Sequence, residues 1–486
     1  MYLLPPALQE WVSEDHVIYL VMDVVRELDL TDLEAAYKDK DPRGAVPYDP
    51  RMLLSLLIYG YCTGTTSSRK LESATWSDVA TRLLVADQHP DHTVISEFRR
   101  KHRGLFRRVF EQVLVLCGRS GLVKLGRVSL DGTKVRADAS KHKAMSYDRM
   151  QRKEKELRAE IDALVAEADA VDAAEDAQYG KDRRGDELPD ELIRRESRLK
   201  KIREVKAALE AEAAAGRAEQ LEQRSEDRDE QLERAEPSMS RQERRKLERL
   251  AKKTQKQAEK ARRKAQSAAE STDSKPAEQA SSKCGLIRNR PPFDRHGDPH
   301  GRAQRNFTDP DSRIMVDGRG AYEQSYNAQA VVTDEQIIIA TDVSNQAPDV
   351  QQMVPMLEQT RENLGELPDV FLADNGYFSA DNVGWCEDQG IDAYISIGKK
   401  RWESEPGAGS EVVRAMRAKL ETPEGAAHYA RRKVIPEPVF GQIKECQGIR
   451  RFRLRGLEKV RDEWQLITAA HNLLKLHRAR LAAAPA

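Results

Sequence analysis

The stretch DVFLADNGYFSADN, residues 369–382, predicts a buried strand that ends at an acidic residue. The apolar run 370–373 stops at Asp374, which is followed by the turn-forming residues Asn375 and Gly376. Open α/β sheets usually bind ligands at the carboxyl ends of their strands, so Asp374 is a candidate functional residue. The alternative, which this stretch alone favours, is an aspartate that only stabilises a turn.

Length and composition restrict the class of protein. A chain of 486 residues is too long for one ordinary core, and its equal totals of 81 basic and 81 acidic residues indicate no class of partner. The five cysteines are scattered and include no CxxC pair, which is typical of a reducing compartment. No signal peptide and no apolar run of membrane-spanning length is evident. We therefore expect a cytoplasmic protein with no membrane partner.

Residues 1–120 predict an all-α N-terminal domain. The segment PYDPRMLLSLLIYGYCTG offers Pro at a helix start and Gly at its end, and two further helical patterns follow it. The segment 97–110 carries six basic residues against Glu97, which indicates a helix-turn-helix-like module that contacts DNA through Arg99 and Arg100. A helix face whose charge is merely solvated is an equally favoured alternative.

Residues 121–138 predict the first strand of an α/β core, and residues 139–305 predict an insertion behind it. In GRVSLDGTKVRAD, alternation places Asp131 on the face opposite Leu130. The insertion is rich in Glu, Lys, Arg and Ala, and its apolar residues repeat at near-heptad spacing, which predicts a helical or coiled-coil hairpin. A loop is expected at 178–189 and a flexible stretch at 266–283. We expect the charge of the insertion to be solvated helix surface without chemistry.

The α/β pattern returns in residues 306–475, and residues 476–486 form a predicted tail. SYNAQAVVT and QIIIATDVS predict a hairpin, followed by a helix, the strand before Asp374 and a further strand. Glu437 lies between two prolines, so it belongs in the first turn of a helix, where the macrodipole favours a negative charge. This order predicts an α/β ribonuclease-H-like core, a mixed sheet with helices on both faces.

Three carboxylates on separate elements suggest a metal site. Asp131, Asp374 and Glu437 suit the binding of two Mg²⁺ ions, with Mn²⁺ as the substitute ion, because hard cations prefer oxygen ligands. Two such ions stabilise the attacking and leaving oxygens of a phosphoryl displacement. Lys444, seven residues beyond Glu437, is predicted on the same helix face, beside a DNA phosphate.

The joint order of these motifs resembles the DDE transposases of bacterial insertion sequences over nearly the whole chain. SLDGTKV, YNAQAVV, ADNGYFS with a D-x-G-Y pattern, and EPVFGQIK carry the resemblance. It implies that the three carboxylates are catalytic metal ligands, which overturns the turn interpretation of Asp374. It also implies binding of double-stranded DNA at terminal inverted repeats, by a homodimer or larger synaptic complex. Hydrolysis at the element end and attack of the freed 3′-hydroxyl on target DNA follow from the same resemblance.

The resemblance breaks down at two positions. The family places a Tyr seven residues and an Arg four residues before the Glu, where this chain has Ala430 and Lys433. Tyr429 and Arg432 stand one step early, so Lys433 is a candidate substitute for the Arg. The expected DNA-binding residues are Lys444, Lys433, Arg432, Tyr429, Arg99, Arg100, Lys399, Lys400, Arg451, Arg453 and Arg455.

Three alternatives remain at this stage. The first is a nuclease of the same fold that does not transfer strands. The second is a DNA-binding protein that descends from a transposase and lacks activity, although an acidic triad contributes nothing to holding phosphates. The third is a coiled-coil scaffold, which only the insertion supports.

Overall fold

A mixed sheet of six strands lies at the centre of the unit formed by residues 1–139 and 311–486, and a two-stranded sheet lies in the second unit, residues 140–310. The computed structural model describes residues 7–38, 47–102, 104–179, 190–233, 241–270, 293–294, 296–318, 320–398 and 410–483. The strands are β1 (Arg127–Arg136), β2 (Ala144–Ser146), β3 (Gln304–Asn306), β4 (Arg313–Val316), β5 (Tyr322–Thr333), β6 (Ile338–Ser344), β7 (Val370–Ala373) and β8 (Asp392–Ile395).

The helices of the first unit lie on both sides of the insertion in sequence. Before it come α1 (Val17–Glu27), α2 (Thr31–Lys38), α3 (Pro50–Cys62), α4 (Ser68–Ser77), α5 (Val79–Leu84), α6 (His92–Lys101) and α7 (Leu105–Arg119). The second unit contributes α8 (Tyr147–Tyr179), α9 (Asp190–Glu233) and α10 (Arg241–Glu270). After it come α11 (Met353–Leu364), α12 (Ala380–Asp388), α13 (Ser410–Glu421), α14 (Pro423–Val434), α15 (Pro436–Gly441), a π-helical turn (Gln442–Cys446) and α16 (Leu457–Ala483).

Strand pairing gives the sheet its mixed character. β5 pairs antiparallel with β1, β4 and β6, whereas β1, β7 and β8 run parallel to one another. The resulting order β6-β5-β1-β7-β8 fits the ribonuclease-H-like core that the sequence predicts. Residues 324–333 of β5 are all buried, so both faces of this strand are covered and its polar side chains need partners inside the protein.

Helix α16 joins the N-terminal helices to the sheet. It packs on α3, α7 and β6, and the buried Asn472 side chain donates to the Ile338 carbonyl (2.8 Å) and accepts from the Ile338 N–H (2.9 Å). Residues 1–120 were predicted as a domain of their own, but their helices share one compact unit with the sheet because they bury apolar side chains against α16. The predicted tail also differs, since α16 continues to Ala483.

The second unit is built from long helices. The apolar residues at near-heptad spacing meet in one cluster, which includes Leu157 of α8 and Leu199, Ile202 and Leu209 of α9. A third helix, α10, packs along α9 and begins before the stretch predicted to be flexible; residues 266–270 are helical, and residues 271–283 lie outside the described part of the chain. Residues 180–189 of the predicted loop also lie outside it. No helix among the described residues is both long and apolar enough to cross a bilayer.

Candidate active site

Asp131 lies within β1, and Asp374 directly follows the last residue of the neighbouring parallel strand β7. Leu130 of β1 pairs with Ala373 of β7, so the two aspartates that follow this pair lie side by side in the sheet. The Gly132 N–H donates to Oδ1 of Asp131 at 2.8 Å, and the Gly376 N–H donates to Oδ1 of Asp374 at 2.8 Å. Strand pairing and one local hydrogen bond therefore fix the orientation of each carboxylate.

The environment of Asp131 is unfavourable for its negative charge. The pKa of Asp131 is raised to about 6, chiefly by burial and to a smaller extent by the charges of Asp374 and Asp349. The Arg432 guanidinium and the Gly132 N–H act in the opposite direction, because both stabilise the carboxylate. The site is thus a cluster of carboxylates in which the Arg432 guanidinium faces Asp131.

Arg432 of α14 lies between the carboxylates of Asp131 and Glu437. Its Nη1 is 3.8 Å from Oδ2 of Asp131 and its Nη2 is 3.9 Å from Oε1 of Glu437, while its side chain is only 12 % exposed. Its Nε is buried and has no hydrogen-bond partner among the described residues, so the guanidinium retains a free donor. Arg432 therefore reaches the site although it stands one residue early, whereas Lys433 is exposed.

The donor chemistry of the site fits a divalent cation. Asp131, Asp374 and Glu437 offer hard oxygen ligands of the kind that Mg²⁺ and Mn²⁺ prefer, and a cation would offset the burial and the carboxylate repulsion that raise the pKa of Asp131. Glu437 lies in the first turn of α15, as its flanking prolines predict. Within the described residues no three His, Cys, Asp or Glu side chains are close enough together to hold an ion. The Arg432 guanidinium separates Glu437 from Asp131.

Asp349 is a member of this cluster that the sequence analysis missed. Its Oδ1 accepts hydrogen bonds from the side chains of Asn327 (2.6 Å), Gln329 (2.8 Å) and Lys134 (3.4 Å). A Cβ at Gly132 would stand 2.5 Å from Nε2 of Gln329, so only glycine allows this close approach beside Asp131. The available signal was the alternation of Asn327 and Gln329 with alanines in the middle of a predicted buried strand, because buried amide groups need a partner.

Tyr377 of the D-x-G-Y pattern is tied to the same network. Its hydroxyl donates to Oε1 of Gln329, whose Nε2 donates to Asp349, and burial raises the pKa of Tyr377 well above its usual range. Asn382 donates to the carbonyls of Tyr377 (2.7 Å) and Val350 (2.8 Å). The loop after Asp374 is therefore held to the segment around Asp349 by buried polar contacts.

Lys444 contacts strand β1 through its ammonium group. The π-helical turn after α15 changes the helical phase, and Nζ of Lys444 donates to Oγ1 of Thr133 and to the carbonyl of Lys134 at 3.0 Å. Burial lowers the pKa of Lys444. Lys444 therefore stabilises the carboxyl half of β1, and its contact with a DNA phosphate stays a prediction.

The other predicted DNA contacts fall into distinct groups. Arg99 is only 5 % exposed, donates to the Thr66 carbonyl at 2.8 Å and lies over the Tyr61 ring, so its role here is structural, contrary to the prediction. Tyr429 is half-buried against the core. The exposed residues are Arg100, Lys433, Arg451, Arg453 and Arg455, of which Arg453 contacts Thr66 and Arg455 pairs with Asp138. Lys399 and Lys400 lie outside the described residues.

Comparison with known families gives two matches. Residues 294–473 match the family described as "Transposase DDE domain", a segment that contains Asp349, Asp374 and Glu437. Residues 6–101 match the family described as "Transposase domain (DUF772)". The two segments together cover more than half of the chain. No curated protein and no solved structure matches it significantly.

Proposed function

Since the chain belongs to the DDE transposases of insertion sequences, we propose that it binds the terminal inverted repeats of its element and cuts them. In this proposal it hydrolyses a phosphodiester at the element end and joins the freed 3′-hydroxyl to target DNA. The observation that supports it is the side-by-side placement of Asp131 and Asp374 on parallel strands, with Glu437 across the Arg432 guanidinium.

Asp131, Asp374 and Glu437 are the residues that would hold the divalent ions, Mg²⁺ or Mn²⁺. The family in general uses divalent metals. When bound, such ions stabilise the charge that develops on the attacking and leaving oxygens of a phosphoryl displacement. The local hydrogen bonds from Gly132 and Gly376 pre-orient two of the three ligands, so less conformational freedom is lost on binding.

Arg432 is proposed to orient the phosphate that is cut. Its buried Nε has no partner among the described residues, and a planar guanidinium can donate two parallel hydrogen bonds to phosphate oxygens. Lys433, at the neighbouring exposed position, would hold a phosphate further along the backbone without reading sequence. The buried contacts of Gln329 with Asp349 and Tyr377 keep the surrounding loops in place during this step.

The proposed setting is a homodimer or larger synaptic complex on chromosomal or plasmid DNA in the cytoplasm. A complex that holds both element ends is required if both are to be joined to one target. The competing function is a nuclease of the same fold that cuts and does not join.

A joining assay separates these functions. Labelled DNA duplexes are made with the sequences of the two element ends, which lie on either side of the gene. They are incubated with a supercoiled plasmid, the protein and Mg²⁺ or Mn²⁺. The proposal predicts nicks that leave 3′-hydroxyl ends, followed by labelled plasmid. Cleavage with no joining under either cation identifies the nuclease instead. Binding without cleavage identifies a DNA-binding protein that has lost activity.

A further inference from the structure

Helix α10 of the second unit carries a concentrated positive charge. Between residues 245 and 264 it has ten basic side chains and only two acidic ones, Glu248 and Glu259. All ten basic residues are exposed. They form what we call the basic face: Arg245, Lys246, Arg249, Lys252, Lys253, Lys256, Lys260, Arg262, Arg263 and Lys264.

The opposite side of α10 accounts for its attachment to the unit. Ala251, Thr254 and Ala258 are buried at spacings of three and four residues, and this stripe packs along α9. Small side chains allow the two helix backbones to approach closely. The basic residues are therefore not needed to anchor the helix, and the rows they form point outward.

Ion pairing differs between the basic face of α10 and the contact of α8 with α9. Basic side chains of α9 at the contact with α8 have acidic partners: Arg203 and Lys206 pair with Glu154 at 3.0 and 2.9 Å, and Arg195 pairs with Glu160 at 3.1 Å. On the basic face, Lys264 pairs with Asp298 at 2.8 Å. The other nine form no ion pair with any residue that the structure describes.

The charge pattern of α10 opposes its own helical stability. Lys252, Lys256 and Lys260 stand four residues apart on one side of the helix, and like charges at this spacing destabilise a helix. Mixed Glu and Lys rows would give the same solubility and add favourable pairs. The excess of positive charge on α10 is therefore explained better by a polyanionic partner than by solvation alone.

We propose that the basic face binds the phosphate backbone of double-stranded DNA without reading its sequence. The face extends over about 28 Å at 1.5 Å per residue, close to the roughly 34 Å of one DNA helical turn. Exposed Lys and Arg rows of this kind supply non-specific affinity through release of counterions from DNA. The identity of the polyanion rests on the proposed transposase function, whereas the surface itself rests on the charge and pairing of α10.

The test compares two variants of the full chain that have the same net charge. In the first, Lys252, Lys253, Lys256 and Lys260 of the basic face are each changed to Gln. In the matched control, the exposed residues Arg152, Lys155, Lys200 and Lys201 of α8 and α9 are each changed to Gln. Affinity for a random 30-base-pair duplex is measured at several salt concentrations in EDTA, so that cleavage plays no part. Circular dichroism verifies that both variants remain helical.

The two variants should differ in salt dependence. The α10 variant is expected to lose about tenfold or more in affinity and to flatten the slope of log affinity against log salt by about 3–4, roughly 0.9 per phosphate contact. The control should keep the wild-type slope. Equal slopes in the two variants, or tighter wild-type binding to single-stranded RNA of the same length, would overturn the proposal. Because no cleavage is measured, this outcome is independent of whether the protein cuts or joins element ends.

Discussion

The Arg432 guanidinium lies 3.8 Å from the carboxylate of Asp131, which connects α14 directly to the first strand of the sheet. The sequence offers Arg432 and Lys433 as neighbours, and only one of them can face this carboxylate. Both residues lie within α14 (Pro423–Val434), where neighbouring side chains point in directions about 100° apart. Arg432 faces the site, and its charge holds down the pKa of a carboxyl that burial would otherwise raise further.

Asp131→Asn should stabilise the metal-free protein. The folded-state pKa of about 6 is above the unfolded value of 3.8, so ionisation of Asp131 lowers the free energy of unfolding as the pH rises from about 4 to 6. Removing the charge should restore about 3 kcal/mol at pH 8 and less at pH 5. Urea unfolding in EDTA at the two pH values measures this difference. A variant that is less stable than wild type at pH 8 would show that the Asp131 carboxylate is well compensated.

Arg432→Gln should bind divalent cations more tightly in the absence of DNA, because a guanidinium that pairs with two of the proposed ligands repels the ion. We expect the variant to bind Mn²⁺ about tenfold more tightly. The corresponding free energy is a modest part of the repulsion between two positive charges that share these carboxylates. Calorimetric titration measures it. Arg431→Gln is the matched control, because Arg431 pairs with Asp334 and the change in net charge is the same. Weaker Mn²⁺ binding by Arg432→Gln would mean that the guanidinium positions the carboxylates for the ion.

Tyr377→Phe should destabilise the fold. It removes the donor to Oε1 of Gln329, and a buried acceptor without a partner costs about 1–3 kcal/mol. The loss is measured as a lower free energy of unfolding. Tyr322→Phe, at a side chain that is half exposed, should change stability little. Equal effects of the two substitutions would indicate that the Tyr377 hydroxyl does not stabilise the network around Asp349.

Lys444→Ala should lower stability and leave the salt dependence of DNA binding unchanged. Its ammonium donates to Thr133 and to the Lys134 carbonyl, and loss of such charged hydrogen bonds costs about 1.5–3 kcal/mol. Lys433→Ala, at an exposed position, should leave stability unchanged and flatten the slope of log affinity against log salt by about one unit. A Lys444→Ala protein with full stability and a flattened slope would restore the phosphate role that the sequence predicts.

The strand order and two of the three carboxylate placements follow from local sequence. The apolar run before Asp374 forms β7, and the pattern around Thr333 and Gln336 forms the β5–β6 hairpin, with Gln336 at a positive φ of 63°. Prolines on both sides of Glu437 restrict it to the first turn of α15. Each of these features depends on residues that are close in sequence, so the hydrophobic pattern and the turn-forming residues are enough to predict it.

Tertiary contacts determine the site features that the sequence did not predict. Asp349 becomes part of the site only because Asn327 and Gln329 of β5 converge on it from a distant segment. The direction of Lys444 depends on a π-helical turn that ideal helix spacing does not anticipate. The burial of Arg99 depends on its contact with Tyr61 of another helix. Each of these features requires knowledge of which elements meet, which residue periodicity does not contain.

The role of Asp374 in metal-dependent catalysis is tested by incubating the Asp374→Asn protein with a labelled element-end duplex in Mg²⁺ and measuring cleavage. We expect no cleavage, with affinity for the end within about threefold of wild type, because Asn keeps the shape of the side chain but removes the charge that holds the cation. Asp381→Asn, at an exposed position in the first turn of α12, should cleave normally. Cleavage by Asp374→Asn at the wild-type rate would contradict the assignment of this strand-end aspartate to a metal-dependent catalytic site.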